Sequence, residues 1–196
     1  MLLQEFQQIG ADLFNRGLVS SHSGNLSVRL GDNLIITRRR AQLAHLTEHD
    51  LIETALGYND RATPSASNEL SVHRTLYQQT GAQAILHAHP VYTVAVSLDQ
   101  NEVAPLDAEA RRHLGVIPVL GDGVIDNTRE IRDELAEALS EHKIVVVRGH
   151  GVFAVGQLLD ETHHWASLLE ESCRLIAIAR MLGVSATEKG IPVGIP

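Results

Sequence analysis

The sequence predicts an α/β fold with a mixed, mainly antiparallel central sheet that helices cover on both faces. Helical and extended patterns alternate along 196 residues, a length typical of one domain. Two apolar runs flank Gly31-Asp32-Asn33, and a short turn of this composition predicts an antiparallel hairpin. Hairpins mixed with amphipathic helices favour layers, because each helix buries its apolar stripe against a sheet face. We expect one domain over residues 1–183 and a weakly patterned tail over 184–196.

Apolar periodicity and capping residues locate the individual elements. The first helix, Leu3 to Asn15, carries Phe6, Ile9 and Leu13 on one face. Further helices are predicted at 70–80, 91–98, 128–142 (capped by Asn127 or Thr128) and 160–182. Strands are predicted at 26–30, 34–37, 84–89, 116–120, 145–147 and 152–155, and residues 46–51 are expected to form a turn or cap.

Composition indicates a globular protein of a reducing compartment. Hydrophobic residues make up 44% and charged residues 20%, which is ordinary for a packed domain. A net charge of −8 argues against a general nucleic-acid binder. Cys173 is the single cysteine, so no internal disulfide can form. No signal peptide is visible and no apolar run approaches the ~18 residues of a membrane span, so we expect a cytoplasmic protein without membrane contact.

His87 and His89 are the most informative residues of the chain. They end the apolar run 84–86, and Pro90 follows, which argues that the strand stops there. Side chains alternate faces along a strand, so both imidazoles point the same way. Such a pair is half of a site for Zn²⁺ or a similar metal. On spacing alone, two packed or solvated strand-end histidines are an equally good interpretation.

His150 supplies a candidate third ligand. It lies between Gly149 and Gly151, which permit a tight backbone path and close approach of a ligand, and β-branched strands are predicted on either side. Three nitrogen ligands with an open fourth position are typical of catalytic zinc sites. An isolated turn histidine would be ordinary, and it is the combination with the earlier pair that favours a ligand.

Glu69 is the candidate carboxylate. Residues 63–68 are rich in loop and capping residues, and Glu69 then opens the helix 70–80. Glu69 and His73 are four residues apart and therefore share a helical face. A carboxylate in a first turn is also what the helix dipole favours, which is the structural alternative.

Four motifs together resemble the class II aldolase/adducin family. In order they are Gly24-Asn25-Leu26-Ser27, Glu69-x-x-x-His73, His87-x-His89 and Gly149-His150-Gly151. Each motif is weak alone, but their order and spacing are specific for the family and cover the chain to about Gly183. The pattern is closest to that of the fuculose-phosphate aldolases. The resemblance implies three-layer α/β/α architecture and a homotetramer with active sites between subunits.

The resemblance assigns the metal ligands and the catalytic carboxylate. The family's three histidine ligands fall on His87, His89 and His150, and its catalytic glutamate, which also coordinates metal, falls on Glu69. The implied cofactor is one Zn²⁺ per subunit, with Mn²⁺, Co²⁺ or Fe²⁺ as alternatives.

The resemblance also assigns an anion site, where this sequence departs from the family. The family's phosphate loop falls on Gly24 and Asn25, and its Ser-Ser pair appears as Ser67-Asn68. The usual Thr-Pro-Ser/Thr-Gly segment reads Thr37-Arg38-Arg39-Arg40. Arginine suits carboxylate and phosphate, so Arg39 and Arg40 are candidate substrate contacts, and a solvated basic loop is the alternative. The family's tyrosine acid would fall near Asp107, so no second proton donor is assigned.

Three functional interpretations follow. The first is a metal-dependent aldolase that reversibly cleaves a small sugar phosphate of the fuculose-phosphate type to dihydroxyacetone phosphate and an aldehyde. The second is another metal enzyme on this scaffold: a ribulose-phosphate 4-epimerase, dehydratase, decarboxylase or zinc hydrolase. The third is a non-catalytic, adducin-like assembly module, against which the joint presence of the three histidines and Glu69 argues. The expected partners are a small anionic hydroxycarbonyl substrate and further copies of the chain.

Overall fold

The computed structural model describes residues 2–121 and 129–184. Within these ranges the helices are α1 (Leu2–Asn15), α2 (Leu70–Gln79), α3 (Val91–Ser97), α4 (Ala108–His113), α5 (Arg129–Glu141) and α6 (Leu159–Met181). The strands are β1 (Asn25–Leu30), β2 (Asn33–Thr37), β3 (Leu51–Ala55), β4 (Ala84–Ala88), β5 (Glu102–Val103), β6 (Ile117–Leu120), β7 (Ile144–Val147) and β8 (Gly151–Gly156).

The strands form one mixed sheet in the order β3-β2-β1-β4-β8-β7-β6-β5. Among the described strands, β6 and β7 pair in parallel and every other neighbouring pair is antiparallel. The hairpin predicted around Gly31 is the β1–β2 pair, which brings Leu30 opposite Asn33. The predicted α/β class with a mainly antiparallel sheet is therefore confirmed.

Alternating residues of the central strand β4 pack into two different cores. Ala84, Leu86 and Ala88 belong to a core with α1, α3 and α6, whereas Ile85 belongs to a core with α2 and α5. Successive side chains of a strand point to opposite faces, so the two cores lie on the two sides of the sheet. Helices thus cover both faces, as predicted.

Three short elements were not expected from the sequence. Strand β3 follows a 3₁₀ turn, Glu48–Asp50, where only a turn or cap was predicted. Its first two residues are half-buried, Glu53 is exposed and the last two are buried, so the residues do not alternate with a period of two that would indicate a strand. Strand β5 has two residues and α4 has six, and elements this short do not show a recognisable apolar period in the sequence.

Two sequence predictions lie outside the described residues: the cap at Asn127 or Thr128, and the tail beyond Val184. Among the helices that the structure describes, none combines the length and apolar character needed to cross a bilayer. Helix α6 leaves apolar side chains exposed near its end, with Met181 85% exposed and Leu175 44% exposed.

Candidate metal centre

His87 is positioned by the central strands β4 and β8. It lies opposite Phe153 in the antiparallel pair, and the Phe153 ring stacks on its imidazole with centroids 4.3 Å apart. Its Nδ1 lies 2.9 Å from the carbonyl oxygen of Val152. A carbonyl only accepts hydrogen bonds, so Nδ1 carries the proton and Nε2 keeps its lone pair. This second hydrogen bond fixes the tautomer and aims Nε2 as a ligand.

His150 reaches the same place from the turn between β7 and β8. Gly149 has a left-handed backbone, with φ of 66°, which glycine adopts without a side-chain penalty. A Cβ on Gly151 would collide with the carbonyl of Ala88, so this strand approaches the end of β4 only without a side chain. The glycines on both sides of His150 are therefore required by the local geometry.

The three predicted histidines converge. One ring nitrogen from each of His87, His89 and His150 lies within 4.8 Å of the others. The three centroid separations are 4.6, 4.7 and 4.6 Å, which describe a nearly equilateral cluster. The Nε2 atoms of His87 and His89 are 2.7 Å apart. Two ring nitrogens this close either share a proton or flank a cation.

Burial keeps these imidazoles neutral. Burial, and then the neighbouring His89, hold the pKa of His87 well below its usual value. Burial and the neighbouring histidines lower the pKa of His150 to about 3, and burial lowers the pKa of His89. Neutral imidazole is the form that binds a metal.

The donor set fits a divalent metal. Within the described part of the chain, the Nδ1 atom of His150 is buried without a hydrogen-bond partner, and a bound ion is one of the explanations for such an atom. Three neutral imidazole nitrogens match the three protein ligands of a catalytic zinc site. His87, His89 and His150 are the residues that would hold it.

Glu69 lies beside the histidine cluster. It is the residue before α2, and its Oε2 lies 3.3 Å from Nε2 of His87, while its Oε1 lies 3.8 Å from Nε2 of His150. Its Oε2 also accepts a 2.6 Å hydrogen bond from Nδ2 of Asn25. The carboxylate is close enough to coordinate a metal in the cluster or to exchange a proton with a molecule bound there.

The predicted anion-site segments lie against one another next to Glu69. Gly24 has φ of 78°, and a Cβ there would stand 2.8 Å from the carbonyl oxygen of His87. The amide of Ser67 donates to the carbonyl of Thr37 at 3.1 Å. The hydroxyl of Ser67 accepts from the amide of Glu69 at 3.2 Å, while Asn68 is exposed. Gly24 therefore lies against strand β4 at His87, and Ser67 connects Thr37, which precedes the three arginines, to Glu69.

The three consecutive arginines differ in their surroundings. The guanidinium of Arg38 donates to Oδ1 of Asp50 at 2.7 and 3.0 Å, which makes it a structural ion pair. Arg39 and Arg40 are exposed. Arg40 has φ of 59°, and among the described residues it is the one non-glycine residue with a left-handed backbone. Of these three arginines, Arg39 and Arg40 have guanidinium groups that do not pair with Asp50.

Sequence reasoning missed a buried polar group behind Asn25. His73, Ser27 and Tyr77 form hydrogen bonds among themselves and with Asn25, and all are buried. His73 was considered from its spacing to Glu69, but not as part of a network. The spacing of four residues from Glu69 to His73 and again to Tyr77 places all three on one helical face and was the available signal.

Fold and site together define the class: an α/β protein whose central strands end in a three-histidine centre beside a carboxylate. The model of the Class II Aldolase and Adducin N-terminal domain matches residues 4–177, so the chain belongs to the class II aldolase and adducin family. The resemblance inferred from the four motifs is confirmed.

Known proteins similar to this chain catalyse different reactions. The solved structure of L-fuculose-1-phosphate aldolase from Thermus thermophilus is 38% identical, covers 99% of this chain and 98% of its own, and superposes with a TM-score of 0.87. A 3,4-dihydroxyphthalate decarboxylase of Arthrobacter keyseri is 31% identical over 71% of this chain and 63% of its own length. A probable bifunctional methylthioribose-1-phosphate isomerase/methylthioribulose-1-phosphate dehydratase of Nocardia farcinica is 29% identical over 84% of this chain.

The chain spans only 33% of that Nocardia protein. The predicted class, a metal-dependent lyase of the class II aldolase type, is confirmed at the level of the family. The particular reaction differs among these relatives, so family membership alone does not select it.

Proposed function

We propose that this protein is a metal-dependent aldolase that reversibly cleaves a small sugar phosphate of the fuculose-phosphate type to dihydroxyacetone phosphate and an aldehyde. The observation that supports it most is the meeting of three neutral imidazoles with the Glu69 carboxylate, which lies 3.3 Å from His87 and 3.8 Å from His150. The similarity to the Thermus aldolase over nearly the whole of both chains supports the same reaction class.

Zn²⁺ is the cofactor we propose, held by His87, His89 and His150, with Glu69 as a further ligand before substrate binds. Imidazole nitrogens and one carboxylate suit zinc, although Mn²⁺, Co²⁺ or Fe²⁺ would also accept them. When bound, the metal supplies Lewis-acid stabilisation of the negative charge that carbon–carbon cleavage leaves beside a carbonyl.

Glu69 is the proposed proton carrier. In aldol cleavage the electron pair of the broken carbon–carbon bond passes to the ketone half as an enolate. The hydroxyl that becomes the aldehyde loses a proton, and the enolate carbon gains one, so atoms and charge balance. A carboxylate beside the reacting atoms can move the proton at either position. Asn25 holds Glu69 by the 2.6 Å bond to Oε2 and leaves Oε1 for this exchange.

The substrate phosphate is assigned to the segments next to Glu69. Gly24 can present a backbone amide to an anion, and Asn25 has a second amide hydrogen beyond the one that it donates to Glu69. Ser67 and Asn68 add a hydroxyl and an amide at the start of α2, where a helix terminus favours an anion. Arg39 and Arg40 are the proposed charged contacts, because guanidinium binds phosphate and carboxylate with two parallel bonds.

A cytoplasmic homotetramer with sites between subunits is the assembly we propose. The exposed apolar side chains of α6, including Leu175, Ile178 and Met181, support burial against another copy. The buried Cys173 thiol supports a reducing compartment.

A decarboxylase or dehydratase on the same site is the second candidate. The arginines in place of the family's small residues favour it, because they would accept a substrate carboxylate as well as a phosphate. The relatives named as a decarboxylase and as a dehydratase support the same alternative. An epimerase uses the same site, whereas an assembly module would have no need of the buried ligand set.

Product analysis distinguishes these reactions. Zinc-loaded protein is incubated with L-fuculose 1-phosphate, and dihydroxyacetone phosphate and lactaldehyde are measured as they appear; the reverse reaction is run with dihydroxyacetone phosphate and a panel of aldehydes. Chelator-treated protein, before and after zinc is restored, is the control. Metal-dependent formation of both fragments supports the proposal. Carbon dioxide release from carboxylated sugar phosphates, water loss from methylthioribulose 1-phosphate, or epimerisation without cleavage would replace it.

A further inference from the structure

Four buried side chains form a continuous hydrogen-bonded chain that ends on Glu69. The hydroxyl of Tyr77 lies 2.7 Å from Oγ of Ser27, which lies 2.6 Å from Nδ1 of His73. Nε2 of His73 lies 2.5 Å from Oδ1 of Asn25, whose Nδ2 donates to Glu69 at 2.6 Å. Tyr77 and His73 lie on helix α2 and Ser27 and Asn25 on strand β1, so the hydrogen bonds alternate between the two elements and end at Glu69, the residue before α2.

The hydrogens of this chain can be arranged in only one direction. A carboxylate accepts from Asn25, so the amide nitrogen faces Glu69 and the amide oxygen faces His73. Oδ1 only accepts, so the proton of His73 is on Nε2 and Nδ1 is bare. Ser27 must then donate to Nδ1, and its oxygen accepts from Tyr77. Each member thereby fixes the hydrogen position of the next.

His73 is held neutral, as the single direction requires. Its side chain is fully buried, and burial, followed by the neighbouring His87, lowers the pKa of His73 to about 3. A protonated ring would donate from both nitrogens and would break the bond from Ser27. Buried polar networks of this kind specify one arrangement when every member is satisfied.

We propose that Tyr77, Ser27 and His73 are positioning residues that lock the amide of Asn25 with its nitrogen toward Glu69. This inference rests on the proposed role of Glu69 as the proton carrier. If the amide turned over, Oδ1 would face the carboxylate and two acceptors would repel each other. The carboxylate would then leave the position beside His87. The three residues thus act on the reaction through Asn25, without touching substrate or metal.

The direction of the hydrogen bonds from Tyr77 to Glu69 can be measured without any substrate. Protein labelled with ¹⁵N-histidine and loaded with zinc is studied by NMR, and His73 is assigned by comparison with His73→Gln. We expect a neutral ring that is protonated on Nε2 at pH 7. A ring protonated on Nδ1 would overturn the inference, because a bare Nε2 could only accept from Asn25 and the amide would then face the other way.

A matched pair of serine variants tests the effect on turnover. Ser27 and Ser172 are both fully buried, and within the described residues the hydroxyl of Ser172 has no hydrogen-bond partner. We expect Ser27→Ala to lower kcat of the cleavage reaction about tenfold or more, while KM stays within about threefold and zinc content is unchanged. Ser172→Ala should leave kcat unchanged. Equal kcat values for both variants would overturn the positioning role.

Rescue distinguishes positioning from packing. His73→Gln keeps an amide donor near the position of Nε2, whereas His73→Leu fills the buried space without any donor. We expect Gln to retain at least about threefold more kcat than Leu, even where Leu gives the higher melting temperature. Turnover that follows melting temperature would mean a structural role only. If no substrate is cleaved by the wild type, the proposed function fails, and the NMR result still decides the direction of the chain.

Discussion

Arg40 combines backbone strain with a candidate role in substrate binding, so its substitution separates two effects. It is the third residue of a turn closed by a 3.0 Å bond from the amide of Ala41 to the carbonyl of Arg38. Its φ of 59° is a value at which glycine is usual in such turns. We compare Arg40→Ala, which removes the guanidinium and keeps a Cβ, with Arg40→Gly, which also removes the Cβ.

The structure sets the expected magnitudes. A left-handed backbone costs a residue with a Cβ about 1–2 kcal/mol, which glycine avoids. Glycine in turn loses roughly 0.5–1 kcal/mol of folding free energy, because its unfolded chain has more conformational entropy. Arg40→Gly should therefore be more stable than Arg40→Ala by about 0.5–1 kcal/mol. Arg40 is exposed, so Arg40→Ala itself should shift the free energy of unfolding by less than about 0.5 kcal/mol. An exposed ion pair is worth at most about 1 kcal/mol, which predicts a roughly fivefold rise in KM for a phosphorylated substrate in both variants.

Two assays check these values independently. Urea unfolding of wild type and both variants gives the stability differences, and steady-state kinetics with the phosphorylated substrate gives KM. Arg112→Ala, which removes an exposed arginine from α4, controls for the change in net charge. If Arg40→Gly is no more stable than Arg40→Ala, the strain argument is wrong. If KM rises no more than in Arg112→Ala, Arg40 does not contact the substrate anion.

Three further predictions concern the metal centre and the residues around it. Glu69→Gln should keep zinc, because the histidines remain, but lose at least about 99% of turnover as the proton carrier is removed; elemental analysis and kcat decide, and unchanged kcat would refute its role. Gly151→Ala should lower both zinc content and melting temperature, since its Cβ would collide with the carbonyl of Ala88; full zinc occupancy with unchanged melting would contradict the geometry. His73→Gln should reduce the dependence of the free energy of unfolding on pH. The pKa of His73 is about 3 in the folded protein and about 6.5 in the unfolded chain, so the wild type loses stability as pH falls below 6.5, by up to about 1.4 kcal/mol per pH unit. Denaturation of both proteins at pH 7, 6 and 5 measures the difference. Parallel curves for His73→Gln and wild type would show that burial does not hold this ring neutral.

The sequence predicted those parts of the site that local rules determine. The period of two along the predicted strand 84–89 placed His87 and His89 on one side, although β4 itself ends at Ala88, and the glycines around His150 indicated a tight turn at a strand end. The polar chain through Ser27 and Tyr77 depends instead on the register that sets Asn25 opposite His87 and on the packing of α2 against β1. No local pattern reports such contacts between elements.

The arginine segment shows the same division within three consecutive residues. The three identical side chains cannot be distinguished in the sequence, but in the structure only Arg38 of the three forms an ion pair with Asp50, which lies twelve positions after it. The amide of Arg38 also donates to the carbonyl of Asp50 at 2.7 Å, and the amide of Arg39 to that of Ser65 at 3.0 Å. These bonds fix the backbone on the N-terminal side of Arg40, which is how a strained conformation persists in a folded protein. Glycine would adopt this turn conformation at a lower backbone cost, so we infer that Arg40 contributes through its side chain rather than through its backbone. The fixed backbone therefore sets the point at which the Arg40 side chain leaves the loop, and Arg40→Gly is expected to gain stability and lose affinity together.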